Sequence, residues 1–525
     1  MVRVDKENEA RRNRRGGGGR SGRLAMREAG PAQRPVRAGL PGGRYKPLTD
    51  RDLDMINEAA LDILETLGIG EPTAEAIEIA LANGAHLNEH NRICFPRSIV
   101  EEALKKSASS YTVHSRDPQH DNLIVGHNHV NYVTSGEAVT VYNAKEKNFR
   151  PSALKDLYDF CRVTDTLENI HGFGQTVVPT ELDDPYEHDI NVAYAIVSGT
   201  QKPAEMTFVD VKNIDAVVEM FDMVAGGVGK FKEKPFATFG GCPIVSPLRF
   251  GEDNLEVLIA SSKRDLISDI AIAPQAGATA PAHLAGTLAQ VTAEGLSCLC
   301  MVNMIAPGTP MSFAIWPFVS DLRSGSFSGG SGEEAVLMAA AAQIGGYYNL
   351  PVTVAASMTD AKMPDAQAGY EKGIASVLAG MAGANRVLES AGMLGSLMAC
   401  SFEALLIDND MLGQAQRAIR GIEVNEQTLS VETIKEACLG AGHFLGHPKT
   451  LECMETEYLY PKIADRQPFG QWVEEGSKSI LDVAIVRAEE VLATHFPTHI
   501  SEELDDAIRA KFPIKLDRSD MKPKV

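Results

Sequence analysis

From about residue 152 the chain alternates short apolar runs with longer stretches whose apolar positions recur every three to four residues. The runs are IHGFGQTVV (170–178), AEMTFVD (204–210), PFATFGGCPIV (235–245), DIAIAP (269–274), MSFAIWPF (311–318), VTVAASM (352–358) and RVLESAGML (386–394). Helical patterns lie between them, near 185–199, 211–225, 252–264, 280–303, 332–347, 367–383 and 402–420. GIEVN (421–425) is a plausible eighth strand. The runs are continuously apolar rather than alternating, as parallel strands buried on both faces are. This predicts a (β/α)8 TIM barrel over residues 151–430, with a doubly wound open sheet as the runner-up.

The flanks differ. LTDRDLDMINEAALDILETLGI (48–69) predicts a helix, capped by Thr49 or Asp50 and ended at Gly68. Two more helices are expected near 74–83 and 98–106. YTVHS, NLIVG, VNYVT and AVTVYN, in residues 111–143, are short β runs split by Asp, Asn and Gly. Residues 47–150 are therefore expected to form a helical extension with a small antiparallel layer. Residues 431–525 are expected to be helical and to complete the barrel domain.

Charge sharpens the division. Residues 1–46 contain 13 Lys/Arg and 4 Asp/Glu, whereas the whole chain carries −20. ARRNRRGGGGRSGR (10–23) has almost nothing apolar to bury, so 1–46 is expected to be a disordered basic tail, with residues 1–40 dispensable. The acidic body argues against a nucleic-acid partner. It is compatible with a cationic substrate, or simply with a solvated acidic surface. No run of 18 apolar, uncharged residues predicts a membrane span, and eight cysteines without a framework suit reduced thiols. A cytoplasmic protein, assembled as a homo-oligomer, is expected.

A barrel places its chemistry where strands end at their C-terminal side. Gly240-Gly241 and GSFSGGSGEE (325–334) resemble phosphate cradles, yet no Walker-type Lys follows, and Glu333 and Glu334 stand where an anion would bind. His443, His447 and Cys453 have metal-like spacing, but Pro448 interrupts it, so no metal is expected. No G-x-S-x-G elbow is present. Phe208, Phe239, Trp316 and Phe318 lie at strand ends, with Tyr370 just beyond another. Singly each suits a core; together they would cage a quaternary ammonium. TDAKMPDAQAGYEK (359–372) follows the sixth run and spends many polar residues in one turn. The candidate substrate-binding set is Phe208, Gln275, Trp316, Phe318, Thr359, Asp360, Lys362, Tyr370 and Glu389. Lys362 either holds a substrate carboxylate or pairs with Asp360 or Asp365 to shape its loop.

PQAGATAPAHLAGTLAQVTAE (274–294), GGSGEEAVLMAAAAQIGGYYNLP (329–351), TDAKMPDAQAGYEKG (359–373) and AGMLGSLMACSFEALLIDNDML (391–412) resemble the trimethylamine methyltransferase family, over about residues 48–510. The resemblance implies a (β/α)8 barrel that moves a methyl group from a methylated amine to the Co(I) of a separate corrinoid-binding protein. The archaeal trimethylamine enzymes carry pyrrolysine; this chain has only standard residues. It is thereby similar to the branch that demethylates quaternary amines such as glycine betaine. The implied cofactor, a corrinoid (cobalamin), arrives on the partner, with none tightly bound here and no catalytic nucleophile in the chain. A barrel methyltransferase that uses trimethylamine or a non-corrinoid acceptor (folate or thiol), and a non-catalytic betaine-binding protein, are the competing readings.

Overall fold

The computed structural model describes residues 35–523. They form two compact units: residues 38–420 with 461–523, and residues 35–37 with 421–460.

The first unit carries eight parallel strands: β1 (His129–Tyr132), β2 (Phe173–Gly174), β3 (Ala204–Thr207), β4 (Ala237–Gly241), β5 (Ser268–Ile270), β6 (Met311–Ala314), β7 (Val352–Ala355) and β8 (Arg386–Leu388). Each from β2 onward pairs with the next. Arg386 of β8 registers with Asn131 of β1, and a parallel bridge from Val133 to Gly172 joins β1 to β2. The sheet is closed, which excludes the doubly wound alternative. A helix follows every strand: α1 (Leu154–Asp165), α2 (Pro185–Gly199), α3 (Ile214–Ala225), α4 (Glu252–Lys263), α5 (Leu284–Ile305), α6 (Gly332–Tyr347), α7 (Ala366–Ala382) and α8 (Phe402–Arg420).

All seven apolar runs contain a barrel strand, but they are strands two to eight. The first strand is VNYVT, expected in the antiparallel layer, and GIEVN forms no strand. The barrel therefore starts inside the 47–150 segment rather than at 151. The misleading residue is Asn131, polar at the centre of β1 yet fully buried. Its amide donates to the carbonyls of Ile124 (3.0 Å) and Asn385 (2.9 Å), and its oxygen accepts from the Gly39 N–H (3.1 Å). So satisfied, a polar side chain sits in a core at little cost. In the C-terminal segment, residues 421–460 belong to the other unit, whereas 461–523 stay with the barrel. There the helix Ile480–Thr494 lies beside α8 and α1, and buried Arg162 of α1 donates to the carbonyls of Leu492 (3.0 Å) and His495 (2.7 Å).

The antiparallel expectation holds for the hairpins 110–113/123–126 and 140–143/148–151. The former brings Tyr111 to the barrel interior, its hydroxyl 3.4 Å from Asp269 Oδ1. Among the described residues α5 alone is long and apolar enough to cross a membrane, but 89% of its most apolar window is buried within the fold.

The tail expectation needs one correction; residues 1–34 lie outside the described residues. Leu40 is buried, and Leu40–Pro41 pairs antiparallel with β1. Burying one leucine contributes roughly 1.5–3 kcal/mol. A chain lacking residues 1–46 is therefore expected to melt several degrees below one lacking 1–34, by circular dichroism; equal midpoints would contradict this pairing's contribution.

Candidate active site

Side chains of a barrel strand alternate between the helices and the axis. On β3 the inward positions are Glu205 and Thr207, on β4 Thr238 and Gly240, on β5 Asp269, on β6 Ser312, on β7 Thr353 and on β8 Arg386. Contacts across the axis bear this out. Arg386, almost fully buried, donates to Asp269 and, at 2.6 Å, to Glu205 Oε2. Thr238 donates to Asp269, and Ser312 bonds Thr353. A Cβ on Gly240 would stand 3.1 Å from Glu205 Oε1, so glycine leaves that carboxyl its space. One cation thus faces two carboxyl groups.

Above this layer more acids gather. Glu137 follows β1; its N–H donates to the Gln175 carbonyl (3.1 Å), and its carboxyl accepts the Thr207 hydroxyl (2.6 Å). Glu389 ends β8. Glu334 lies in the first turn of α6, capped by Ser331. Both oxygens of Glu334 and one of Glu389 are buried without a hydrogen-bond partner, as are Gln175 Oε1 and Thr176 Oγ1. Buried polar atoms are rarely left so, and each one costs stability. The backbone is strained at the same place: Glu137 (φ 48°), Ser357 (φ 76°) and Glu389 (φ 60°) are left-handed non-glycine residues. Such strain concentrates at functional sites.

The acids perturb one another. Burial raises the Glu389 carboxyl to about 8, helped by Glu205 and Glu137. Burial raises Glu205 to about 8 against the pull of Arg386, and lifts Glu137 and, well above the ordinary range, Glu334, the latter aided by Glu389 and Asp360. Cys242, just past β4, is solvent-exposed. Yet surrounding protein, with Glu137, Glu389 and Glu205, pushes its thiol to about 12. Cys242 therefore stands beside the acids while remaining open to solvent.

The structure sorts the nine expected site residues. Trp316 continues the inward face of β6, its indole N–H on the Thr353 carbonyl (3.2 Å), and Glu389 lies in the acidic cluster. Phe318 is beside Trp316 (ring centroids 6.2 Å apart) and Phe327 (4.6 Å). Gln275 registers with Phe318 in a small sheet over the strand ends and accepts from Ser320 (2.9 Å). Thr359 and Asp360 are framework: Glu371 accepts from the Thr359 hydroxyl (2.5 Å) and the Asp360 N–H (2.9 Å). Asp360 in turn accepts from Ser328, Gly329 and Ser396, joining the loops after β6, β7 and β8.

Two positions of the expected cage, and Lys362 of the wider candidate set, lie away from the axis. Phe208 has outward parity, and its ring packs on Phe239, itself against Phe221 of α3. Tyr370 is 59% exposed on α7. Lys362 is exposed and donates to the Asp360 carbonyl (2.6 Å), so it shapes its own loop. Period-two alternation excludes Phe208 once the strand register is known; the sequence alone left that register open. The stretch 359–372 is a joint. Asp365 caps α7, and buried Lys372 pairs with Asp408 of α8 (2.5 Å), which also accepts from Gly392 N–H (2.8 Å) beyond Glu389.

Glu137, Glu205 and Glu334 were missed. Glu205, Asp269 and Arg386 did carry a signal, as charges inside apolar runs. In the sequence Glu334 counted only as a charge that would repel an anion, and Glu137 lay beyond an unrecognised first strand. Among the described residues no group of three or more His, Cys, Asp or Glu is arranged to hold a metal. Within the second unit His447 faces Glu436 (3.2 Å) and accepts from the Lys449 N–H (3.2 Å).

A family model described as trimethylamine methyltransferase matches residues 14–517. The chain is 29% identical over 468 residues to a glycine betaine methyltransferase of Desulfitobacterium hafniense (strain Y51), covering 89% of this chain and 96% of that protein. It is 30% identical over 469 residues to the trimethylamine methyltransferase MttB of Methanosarcina barkeri, covering 89% and 94%. The solved Methanosarcina barkeri monomethylamine methyltransferase (MtmB) aligns over 86% of this chain and 95% of its own, at 13% identity and a TM-score of 0.43.

The raised carboxyls make a pH prediction. Glu389 ordinarily titrates near 4.5 and here near 8. Between those values the native state holds a proton that the unfolded state has released, so stability falls as pH rises across that window. The melting temperature should decline from pH 5 to 8, and Glu389→Gln should flatten the decline. An unchanged slope in the variant would contradict the assignment.

Proposed function

The chain belongs to the trimethylamine methyltransferase family, and we propose that it moves a methyl group from a quaternary amine to the Co(I) of a corrinoid carried by a separate protein. The reading rests chiefly on one observation: buried, incompletely partnered carboxyl groups converge at the C-terminal mouth of the barrel. Such a cluster favours a cation and disfavours an anion.

The chemistry suits this setting. A quaternary nitrogen is already a cation, so a strong nucleophile can take its methyl in line while the C–N electron pair stays on nitrogen. The amine leaves neutral, without a proton donor. The work left to the protein is positioning and exclusion of water. Trp316 on the inward face offers an aromatic surface to the ammonium methyls. Fixed anions around a cation would hold the ground state more tightly than a transition state that is losing charge. Carboxyl groups raised towards neutrality relieve this: a proton leaves the cluster when the cation binds and returns when the neutral amine forms. The exposure of Cys242 and the partial exposure of Glu137 leave the cluster accessible to an acceptor approaching along the barrel axis. The corrinoid, as that acceptor, supplies the nucleophile from outside the chain.

Incubation with a reduced corrinoid protein and a panel of quaternary amines should produce methyl-Co(III) absorbance. Lys362→Met should leave the rate within about twofold, since surface changes away from a site are nearly neutral. Methylation from trimethylamine but from no quaternary amine would overturn the substrate reading; transfer to folate or a thiol alone would overturn the acceptor.

A further inference from the structure

Residues 421–460 form a compact unit with residues 35–37, and none of them enters the chemistry proposed above. Two short helices order the segment, α9 (Val431–Leu439) and α10 (Pro448–Thr456). His447, just before α10, faces Glu436 of α9 (3.2 Å), and the Thr450 hydroxyl donates to the Phe444 carbonyl (2.8 Å). These bonds tie the two helices into one small body.

Its burial is inverted. Of the 33 exposed large hydrophobic side chains among the described residues, 12 lie between residues 421 and 460, so they are not the scattered single exposures of an ordinary surface. Within the same stretch Ala437 alone is buried. Along α9, Val431, Ile434 and Cys438 recur at three and four residues and all are exposed, while Glu432 and Glu436 fall on another side. Leu451 and Met454 of α10 are exposed three residues apart, with Tyr458 just beyond. The lysines are engaged locally, Lys435 with Glu432 (2.6 Å) and Lys449 with Glu452 (2.8 Å). Nine-residue helices are marginal alone in water. A body this small that buries no apolar core does not offset the entropy of ordering its chain.

The size and character of the face select what covers it. At roughly 60–120 Å² of apolar area per large side chain, the 12 together expose on the order of 800 Å². One partner contributes about 800 Å² to a stable interface. The chain's own tail begins beside this unit and is basic, with ten Lys/Arg in residues 1–34. It brings only five large apolar side chains, Met1, Val2, Val4, Leu24 and Met26, too few for the face. A partner that leaves after each turnover uses a surface no more apolar than the rest of the protein, whereas permanently joined copies share a more apolar one.

We propose that residues 421–460 are an assembly element, whose apolar face packs on the same face of a second copy of this chain. A self-complementary contact of this kind closes into a two-fold pair.

Sedimentation velocity of the full chain at micromolar concentration tests this. The chain should sediment at twice the 56.5 kDa of one copy, or a multiple of that. Ile434→Asp combined with Leu451→Asp should weaken association at least about thirtyfold. Val228→Asp, at a position 96% exposed on the barrel unit, should leave the mass unchanged, and so should removal of residues 1–34. Should the double variant not fold, chemical cross-linking of the unsubstituted oligomer decides. Links joining two copies of the Lys435 peptide, or two of the Lys449 peptide, arise only between chains and are expected; their absence overturns the proposal. A monomeric full chain overturns it, as does an oligomer indifferent to the double variant. Association that appears only once residues 1–34 are removed overturns it in favour of the tail as the cover.

Discussion

Arg386 holds the barrel's interior together electrostatically. It is almost fully buried between Asp269 of β5 and Glu205 of β3, strands on the far side of the axis from its own. Removing one member of such a set strands buried charge, at about 3–5 kcal/mol. The arrangement spans the closed sheet and fixes the floor on which the acidic cluster stands. It also leaves that cluster uncompensated, because the guanidinium is spent below it. Burial first, and the neighbouring acids after it, hold the Glu389 carboxyl and the Cys242 thiol high, and burial holds Glu205 high against the pull of Arg386; the partnerless oxygens of Glu334 lie in the same cluster.

The rim then has to keep mutually repelling groups in place. It does so with neutral and structural contacts rather than counter-ions. Asp360 ties three loops together through hydroxyl and backbone donors, Glu371 anchors Asp360 from α7, and the buried Lys372–Asp408 pair fixes the loop beyond Glu389. The left-handed backbones of Glu137, Ser357 and Glu389 are the strained points of this frame. A cation placed among the acids would relieve the repulsion that the frame opposes. The same repulsion makes the free protein less stable as pH rises, which couples folding to binding.

Much of this was legible in the sequence. Seven strands, the helices between them and the closed-barrel class follow from apolar runs alternating with helical periodicity. The first strand was hidden by Asn131, whose polarity is harmless only because backbone partners at Gly39, Ile124 and Asn385 satisfy it. The site was harder. Glu389 and Trp316, chosen for their position at strand ends, lie in the acidic cluster and on the inward face of β6, whereas placing Phe208 needed the inward or outward parity that only register supplies. Lys362 and Asp360 sit in one polar turn, and nothing in the turn's composition separates a residue facing substrate from one bracing a loop. The informative pattern, charges inside the otherwise apolar strands β3, β5 and β8, is one that the usual search for motifs passes over.

The central claim is that the carboxyl cluster binds a cation by giving up a proton. Difference infrared spectroscopy of the full chain at pH 7, with and without choline, observes this directly. The account predicts loss of protonated-carboxyl absorption and gain of carboxylate absorption on binding, both reduced in Glu389→Gln. An unchanged carboxyl region on saturation with choline would contradict it.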